Sequence, residues 1–318
     1  VIYGITLAHN SPVEPALVKV DPATGAATQV GSPHSEISAT GALRAVDPTR
    51  GIYYFLGDTS EGATLVGIQL SDGSEVCSLP VRAVKEIGYV GLGQSLDWDT
   101  AAERLVLSGL ATSPSTGNAS HVVLATKGCG GGDFTVLGGF DFGAEIPMLH
   151  GSALDPVGNR LWTTVSDADK VSWILEFNLK TGATGRQLAE SDVGMLDGLT
   201  WNANTSKLIG LIQGCDGGCA GVRYRELEPT TGKWTDRALA GTEQTSVAGN
   251  MATVVAFDQA LQQLYAILTS PNGPTPSNMY LAKIDIARAT VISEPPLDKS
   301  GLCAQTGAGL CLEQMVWV

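Results

Sequence analysis

The amino-acid sequence predicts an all-β chain, a six-bladed β-propeller of four-stranded antiparallel blades whose C-terminal strand pairs with the N-terminal blade. Three observations carry this expectation. A pair of apolar strands joined by a turn that starts at Asp or Asn recurs along the chain. Most copies continue into a hairpin with turn residues at its tip. The two chain ends hold complementary fragments of one further copy.

The strand pair reads Ala42–Asp47 before Ile52–Leu56, then Ser95–Asp99 before Arg104–Leu107. It recurs as Ser152–Asp155 before Arg160–Thr164, Leu199–Asn202 before Lys207–Ile209, and Val254–Asp258 before Leu264–Ile267. The terminal Asp or Asn residues stand 47 to 56 residues apart. Hairpin tips follow at Asp21-Pro-Ala-Thr-Gly25, Ser71-Asp-Gly73, Asn178–Gly182 and Glu228–Gly232, where Asp and Pro set the turn and Gly supplies positive φ. Each period is therefore four short strands, A to D, which is one propeller blade. The N-terminus offers B, C and D as Val1–Leu7, Ala16–Val20 and Ala27–Val30, and Leu312–Val318 supplies the missing strand A. The chain reads as a single domain with blades at 312–318 plus 1–31, 41–80, 93–138, 149–189, 196–239 and 251–294. Closure by both termini removes exposed strand edges that would template aggregation.

Composition agrees. Of 318 residues, 43% are hydrophobic, only 16% are charged, and 39 are Gly, which favours short strands and tight turns over long solvated helices. A net charge of −13 repels phosphates and anionic lipid, and no run approaches the roughly 18 apolar residues of a membrane-spanning helix. Nucleic acid and membrane insertion are thereby excluded as expectations.

The compartment expected is extracellular. Val1 opens directly in a strand-like run, as if a signal peptide had been removed. Six cysteines group by proximity as Cys215 with Cys219 and Cys303 with Cys311, leaving Cys77 with Cys129, one of 15 possible pairings. None has the spacing of a zinc knuckle. Asn118-Ala-Ser and Asn204-Thr-Ser are glycosylation sequons, and sequons with paired cysteines favour an oxidising, secreted setting.

The spacing and the Asp-Pro-x-x-Gly style of turn resemble a broad group of six-bladed propellers that includes NHL-repeat, strictosidine-synthase-like and gluconolactonase/paraoxonase-like proteins. The resemblance implies fold over the whole chain and supplies no catalytic set.

Loop lengths select a working face. The A–B and C–D turns are short, whereas the D–A and B–C connections are mostly long, and loops on a rigid scaffold commonly carry function. Strand A of each blade opens on that face. Five positions before each terminal residue stand Ala42, Gln94, His150, Asp197, Thr253 and Glu313, with Asn250 three residues ahead of its ring position. Five of these six equivalents are polar, in strands that are otherwise apolar. Gln94, His150, Asp197, Asn250, Thr253 and Glu313 form an axial candidate ligand site, with Asp197 and Glu313 as candidate metal ligands. Such oxygens suit calcium, which takes roughly 6–8 hard ligands, and a neutral His150 suits a base. The same side chains also fit a hydrated tunnel mouth.

Other features carry less. His9, His34 and His121 are scattered, and a surface or loop role is expected for each. There is no Gly-x-Ser-x-Gly nucleophile elbow and no phosphate loop. Trp98, Trp201 and Trp317 occupy one strand-A position and are read as packing between blades. Phe140 and Phe142 are placed in a long loop, buried against its base or touching ligand. The leading expectation is a secreted, non-catalytic binding or assembly module for extracellular protein, glycan or its own copies. The alternatives are a calcium-dependent hydrolase or lactonase with its metal on the axis, and a lyase or isomerase using His150 with Asp197 or Glu313.

Overall fold

β-Branched and aromatic runs bounded by Asp, Pro and Gly form strands throughout, because such side chains pack well on a pleated surface and the punctuating residues reverse the chain. The computed structural model describes residues 1–6, 15–34, 38–59, 62–81, 90–112, 118–143, 148–166, 172–190, 197–213, 222–240, 246–247, 255–269, 279–293 and 312–317, some strand ends by backbone alone. The fold is all-β, six antiparallel sheets making a six-bladed β-propeller. Among the described residues there is no α-helix, only a short 3-10 turn at Gly128–Gly130.

Blade 1 contains β1 (Ile2–Thr6), β2 (Ala16–Val20) and β3 (Ala27–Val30). Blade 2 contains β4 (Ser38–Asp47), β5 (Ile52–Thr59), β6 (Gly62–Gln69) and β7 (Glu75–Pro80). Blade 3 contains β8 (Val90–Asp99), β9 (Arg104–Thr112), β10 (Ala119–Thr126) and β11 (Thr135–Gly143). Blade 4 contains β12 (Met148–Asp155), β13 (Arg160–Ser166), β14 (Ser172–Asn178) and β15 (Thr184–Glu190). Blade 5 contains β16 (Asp197–Asn202), β17 (Lys207–Gln213), β18 (Val222–Glu228) and β19 (Lys233–Ala238). Blade 6 contains β20 (Ser246–Val247), β21 (Val255–Asp258), β22 (Gln263–Thr269), β23 (Met279–Asp285) and β24 (Thr290–Ser293). Its strand A is split, since β20 and β21 both pair antiparallel with β22. The last strand, β25 (Leu312–Trp317), lies against β1 in blade 1, with Ile2 opposite Trp317 and Gly4 opposite Met315.

The contacts divide the chain into two units. Unit 1 comprises Val1–Glu36, Ser71–Gly73 and Leu196–Val318, hence blades 1, 5 and 6; unit 2 comprises Ile37–Leu70 and Ser74–Met195, hence blades 2 to 4. In each unit the core lies between successive blades. In unit 1, Ile209, Leu211 and Tyr224 of blade 5 pack with Leu264, Leu268 and Ile284 of blade 6. In unit 2, Tyr54 and Leu65 of blade 2 pack with Leu105 and Leu124 of blade 3, and Val106 and Val123 pack with Leu161 and Phe177 of blade 4. Middle strands are buried on both faces, as β10 shows over nearly its whole length, whereas the outer β19 is mostly exposed.

Cys77 and Cys129 are disulfide-bonded, tying β7 of blade 2 to the 3-10 turn of blade 3. A Cβ at Gly67 would collide with Cys129 Sγ, so glycine there makes room for the bridge. Cys215, Cys219, Cys303 and Cys311 lie outside the described residues.

Candidate functional site

The repeated Asp and Asn residues prove to be structural. Asp47, Asp99, Asp155, Asn202 and Asp258 are all buried, each accepting backbone N–H bonds from the turn it opens. Asp47 Oδ1, for example, takes Thr49 N at 2.9 Å and Arg50 N at 3.1 Å. The residue four positions on is left-handed in all of these turns: Gly51, Glu103, Asn159, Ser206 and Gln262 have φ between 49° and 65°. These side chains serve the A–B turns and are not free for chemistry.

The A–B ladder is where the predicted ring positions fall, and among the described residues it shifts at or beside them. In blade 3, Gly93 pairs with Gly109 and Ser95 with Ser108, leaving Gln94 unmatched. In blade 4, Leu149 pairs with Val165 and Gly151 with Thr164, leaving His150 unmatched. In blade 1, Gln314 pairs with Ile5 and Leu312 with Thr6, leaving Glu313 unmatched. Asp197 is the last paired residue before a shift in blade 5, and Ala42 lies within the shift between Ala39 and Arg44 in blade 2. In blade 6, Val247 pairs with Leu268 and Val255 with Ala266, and Asn250 and Thr253 fall between these pairs, outside the described residues. A bulge leaves its extra residue unpaired and bends the strand, which re-aims side chains. For Gln94, His150, Asp197 and Glu313 the structure describes the backbone position only. A signal for the bulges was present in the sequence: Gly41, Gly93, Gly151 and Gly198 each adjoin a ring position, and glycine inside a strand often marks a bulge.

Just past these interruptions, unit 2 assembles a polar cluster that the ring-position count passed over. Ser152 of β12 donates to Asp97 Oδ2 of β8 at 3.0 Å. Ser95 also bonds to that carboxylate, and its hydroxyl lies 2.7 Å from that of Ser108. Burial pushes the Asp97 carboxyl up to about 6, opposed by its bonds to Ser152 and Ser95 and by the nearby Arg44 charge. Burial likewise lowers Arg44, partly offset by Tyr53 and Asp97. The Asp97 carboxyl thus exchanges its proton under mildly acidic conditions.

Two sequence expectations are corrected. His121, expected at the surface or in a loop, is fully buried in β10, its ring 4.7 Å from that of Phe177 in blade 4. Neither ring nitrogen has a hydrogen-bond partner, and burial pushes its pKa down to about 3. A strand buried on both faces gives no alternation to betray a histidine inside it. Phe140 and Phe142 are in β11, not in a loop; they meet edge-on at 5.0 Å and pack on the core shared with Phe177. Trp98 stacks on Tyr54 of the neighbouring blade at 6.2 Å and Trp201 is buried. Among the described residues no cluster of His, Cys, Asp and Glu is arranged to hold a metal ion.

No protein-family model matches this sequence, and no curated protein matches it. Among solved structures, TolB from Acinetobacter baumannii is similar over 89% of this chain and 60% of that one, with 13% identity and a TM-score of 0.56. The structure of U3-55K is similar over 89% of this chain and 71% of that one, with 13% identity and a TM-score of 0.50. This chain therefore spans 60% of the length of TolB, and likeness at such identity is one of fold alone.

Proposed function

We propose that this chain is a secreted, non-catalytic binding or assembly module that recognises extracellular protein or glycan. The observation that carries this reading is the ladder shift that leaves Glu313, Gln94 and His150 unmatched at one register of strand A in blades 1, 3 and 4. Bulges at matching places hold chosen residues out of the backbone pairing on a rigid scaffold, which is how a recognition surface is pre-organised. The Cys77–Cys129 bridge and the sequons at Asn118 and Asn204 support an oxidising compartment.

The test measures metal content, turnover of esters and lactones, and binding to arrayed glycans and extracellular proteins, all on the full chain. A ligand bound without turnover, and lost on Gln94→Ala or Glu313→Ala, supports the module. Ester or lactone turnover that disappears when stoichiometric calcium is chelated overturns it in favour of a calcium-dependent hydrolase.

A further inference from the structure

The two glycosylation sequons fall in unlike places. Asn118-Ala-Ser opens β10, a middle strand of blade 3. Its Ala119 is 2% exposed and pairs with Thr112 of β9 on one side and Gly143 of β11 on the other. Ser120 is likewise paired on both sides, with Ala111 and Asp141. Asn118 and Ser120 are both half-buried. Asn204-Thr-Ser instead occupies the A–B turn of blade 5, between the end of β16 and the start of β17, and all three of its residues are exposed.

The turn around Asn204 also tolerates a change at its amide. Asn204 N donates to Asn202 Oδ1 at 3.0 Å, so the cap of this turn comes from Asn202 and not from the sequon's own side chains. Asn204 Nδ2 donates to the Gln259 carbonyl of blade 6 at 3.1 Å. A primary amide has two N–H donors, and this bond uses one of them. A glycosylated amide keeps one N–H, so glycan and clasp are chemically compatible. An N-linked oligosaccharide is bulky and solvating, and it belongs where the asparagine and the hydroxyl-bearing residue two positions on are both exposed.

We propose that Asn204 is the N-glycosylated residue of this chain and that Asn118 stays unmodified. The modification goes beyond the binding reading and rests only on its secreted part. The step takes an oligosaccharide from a polyprenyl pyrophosphate donor. A bond forms between Asn204 Nδ2 and the anomeric carbon, and the bond from that carbon to the pyrophosphate oxygen breaks. The polyprenyl pyrophosphate leaves with the electron pair, and the amide nitrogen gives up one proton to solvent. Asn204 lies just past one end of β16, whereas the ladder shift beside Asp197 lies at the other. A glycan on Asn204 therefore leaves the ladder-shift end of blade 5 uncovered.

The experiment directs the full chain into the secretory pathway of a eukaryotic host with an added leader. Intact mass and glycopeptide mapping then read occupancy, enzymatic release marking each occupied site by its conversion to Asp. Most chains are expected to carry glycan at Asn204 and few at Asn118. Ser206→Gly should abolish the mass increment while leaving the Asn204 amide in place, because glycine suits the left-handed φ of 54° there. Asn118→Gln should leave the increment unchanged. Occupancy of Asn118 equal to or above that of Asn204 overturns the proposal, as does a secreted protein with both sites empty. In either outcome an oxidised Cys77–Cys129 pair keeps the secreted reading intact. Protein from its natural source with Cys77 and Cys129 as free thiols overturns that reading, and the glycan with it.

Discussion

The two units solve one problem, the buried polar residue that opens each A–B turn, with different chemistry. In unit 2 the turn carboxylates meet arginine: Asp99 Oδ2 lies 3.0 Å from Arg104 Nε, Asp155 Oδ2 2.7 Å from an Arg160 terminal nitrogen, and Asp47 3.6 Å from Arg50. In unit 1, blades 5 and 6 are instead clasped by amides. Asn202 donates to Gln262 at 2.7 Å, Gln259 accepts from Ala203 N at 3.1 Å, and Asn204 donates to the Gln259 carbonyl at 3.1 Å. Gln259 also donates to the Trp201 carbonyl. The ionic solution fastens each turn chiefly to its own blade, whereas the neutral one stitches adjacent turns together. Paired charges in the turns should make unit 2 the part of the molecule that responds most to loss of partners.

The largest expected effect breaks an ionic turn. Asp99→Ala leaves the mostly buried Arg104 without its carboxylate and the turn without its cap, a loss of about 3–5 kcal/mol by the precedent of broken buried pairs. Urea denaturation checks it, and Asp99→Asn should lose clearly less, because the amide still caps the turn. A near-silent Asp99→Ala would erase the contrast between the units.

Acid should act next, through His121 in unit 2. Its folded-state pKa of about 3 lies below the unfolded value of roughly 6.5, so the unfolded chain binds the extra proton first. Its contribution is fully present above pH 6.5 and is lost progressively as pH falls towards 3, roughly 2–3 kcal/mol by pH 4.5. His121→Phe should flatten the stability–pH curve between pH 6 and 4. Hydrogen exchange should place the protection gained in blades 3 and 4; an unchanged slope would refute the assignment.

Removing the amide clasp should cost less. Gln259→Ala deletes side-chain bonds to Ala203 and Trp201 and is expected to destabilise by about 1–2 kcal/mol. The loss should be the same at pH 5 and pH 8, since no titrating group is removed. A loss as large as that of Asp99→Ala would show the two clasps to be alike after all.

The smallest effect has the same sign in both units. Glu103→Gly in unit 2 and Ser206→Gly in unit 1 relieve a left-handed residue at φ 49° and 54°, offset by the greater freedom of glycine when unfolded. Each should raise stability by about 0.5 kcal/mol, read as a small upward shift in melting temperature. Destabilisation in one unit alone would mean its turn depends on side-chain contacts beyond the backbone.

Much of this architecture was legible in the sequence because it is local. Gly25, Gly182 and Gly232 accept the positive φ of their hairpin tips, each donating its N–H to the residue four before it at 2.8 Å. Leu312–Val318 could be matched to strand A by pattern, and β25 indeed pairs with β1. The ring positions were found by counting, yet counting assumes an unbroken ladder, and the ladder shifts at those same places. Glycines beside Ala42, Gln94, His150 and Asp197 were the overlooked warning.

By itself the sequence determined how many blades there are, where their turns lie and which strands complete the first blade, since repeat period and turn chemistry act within a few residues. Tertiary structure alone decided that Asp97 and Ser152 meet, and that His121 is sealed against Phe177. Those contacts join residues from separate blades, more than fifty positions apart in each case. They depend on how one sheet stacks on the next, and no pattern along a single strand encodes that.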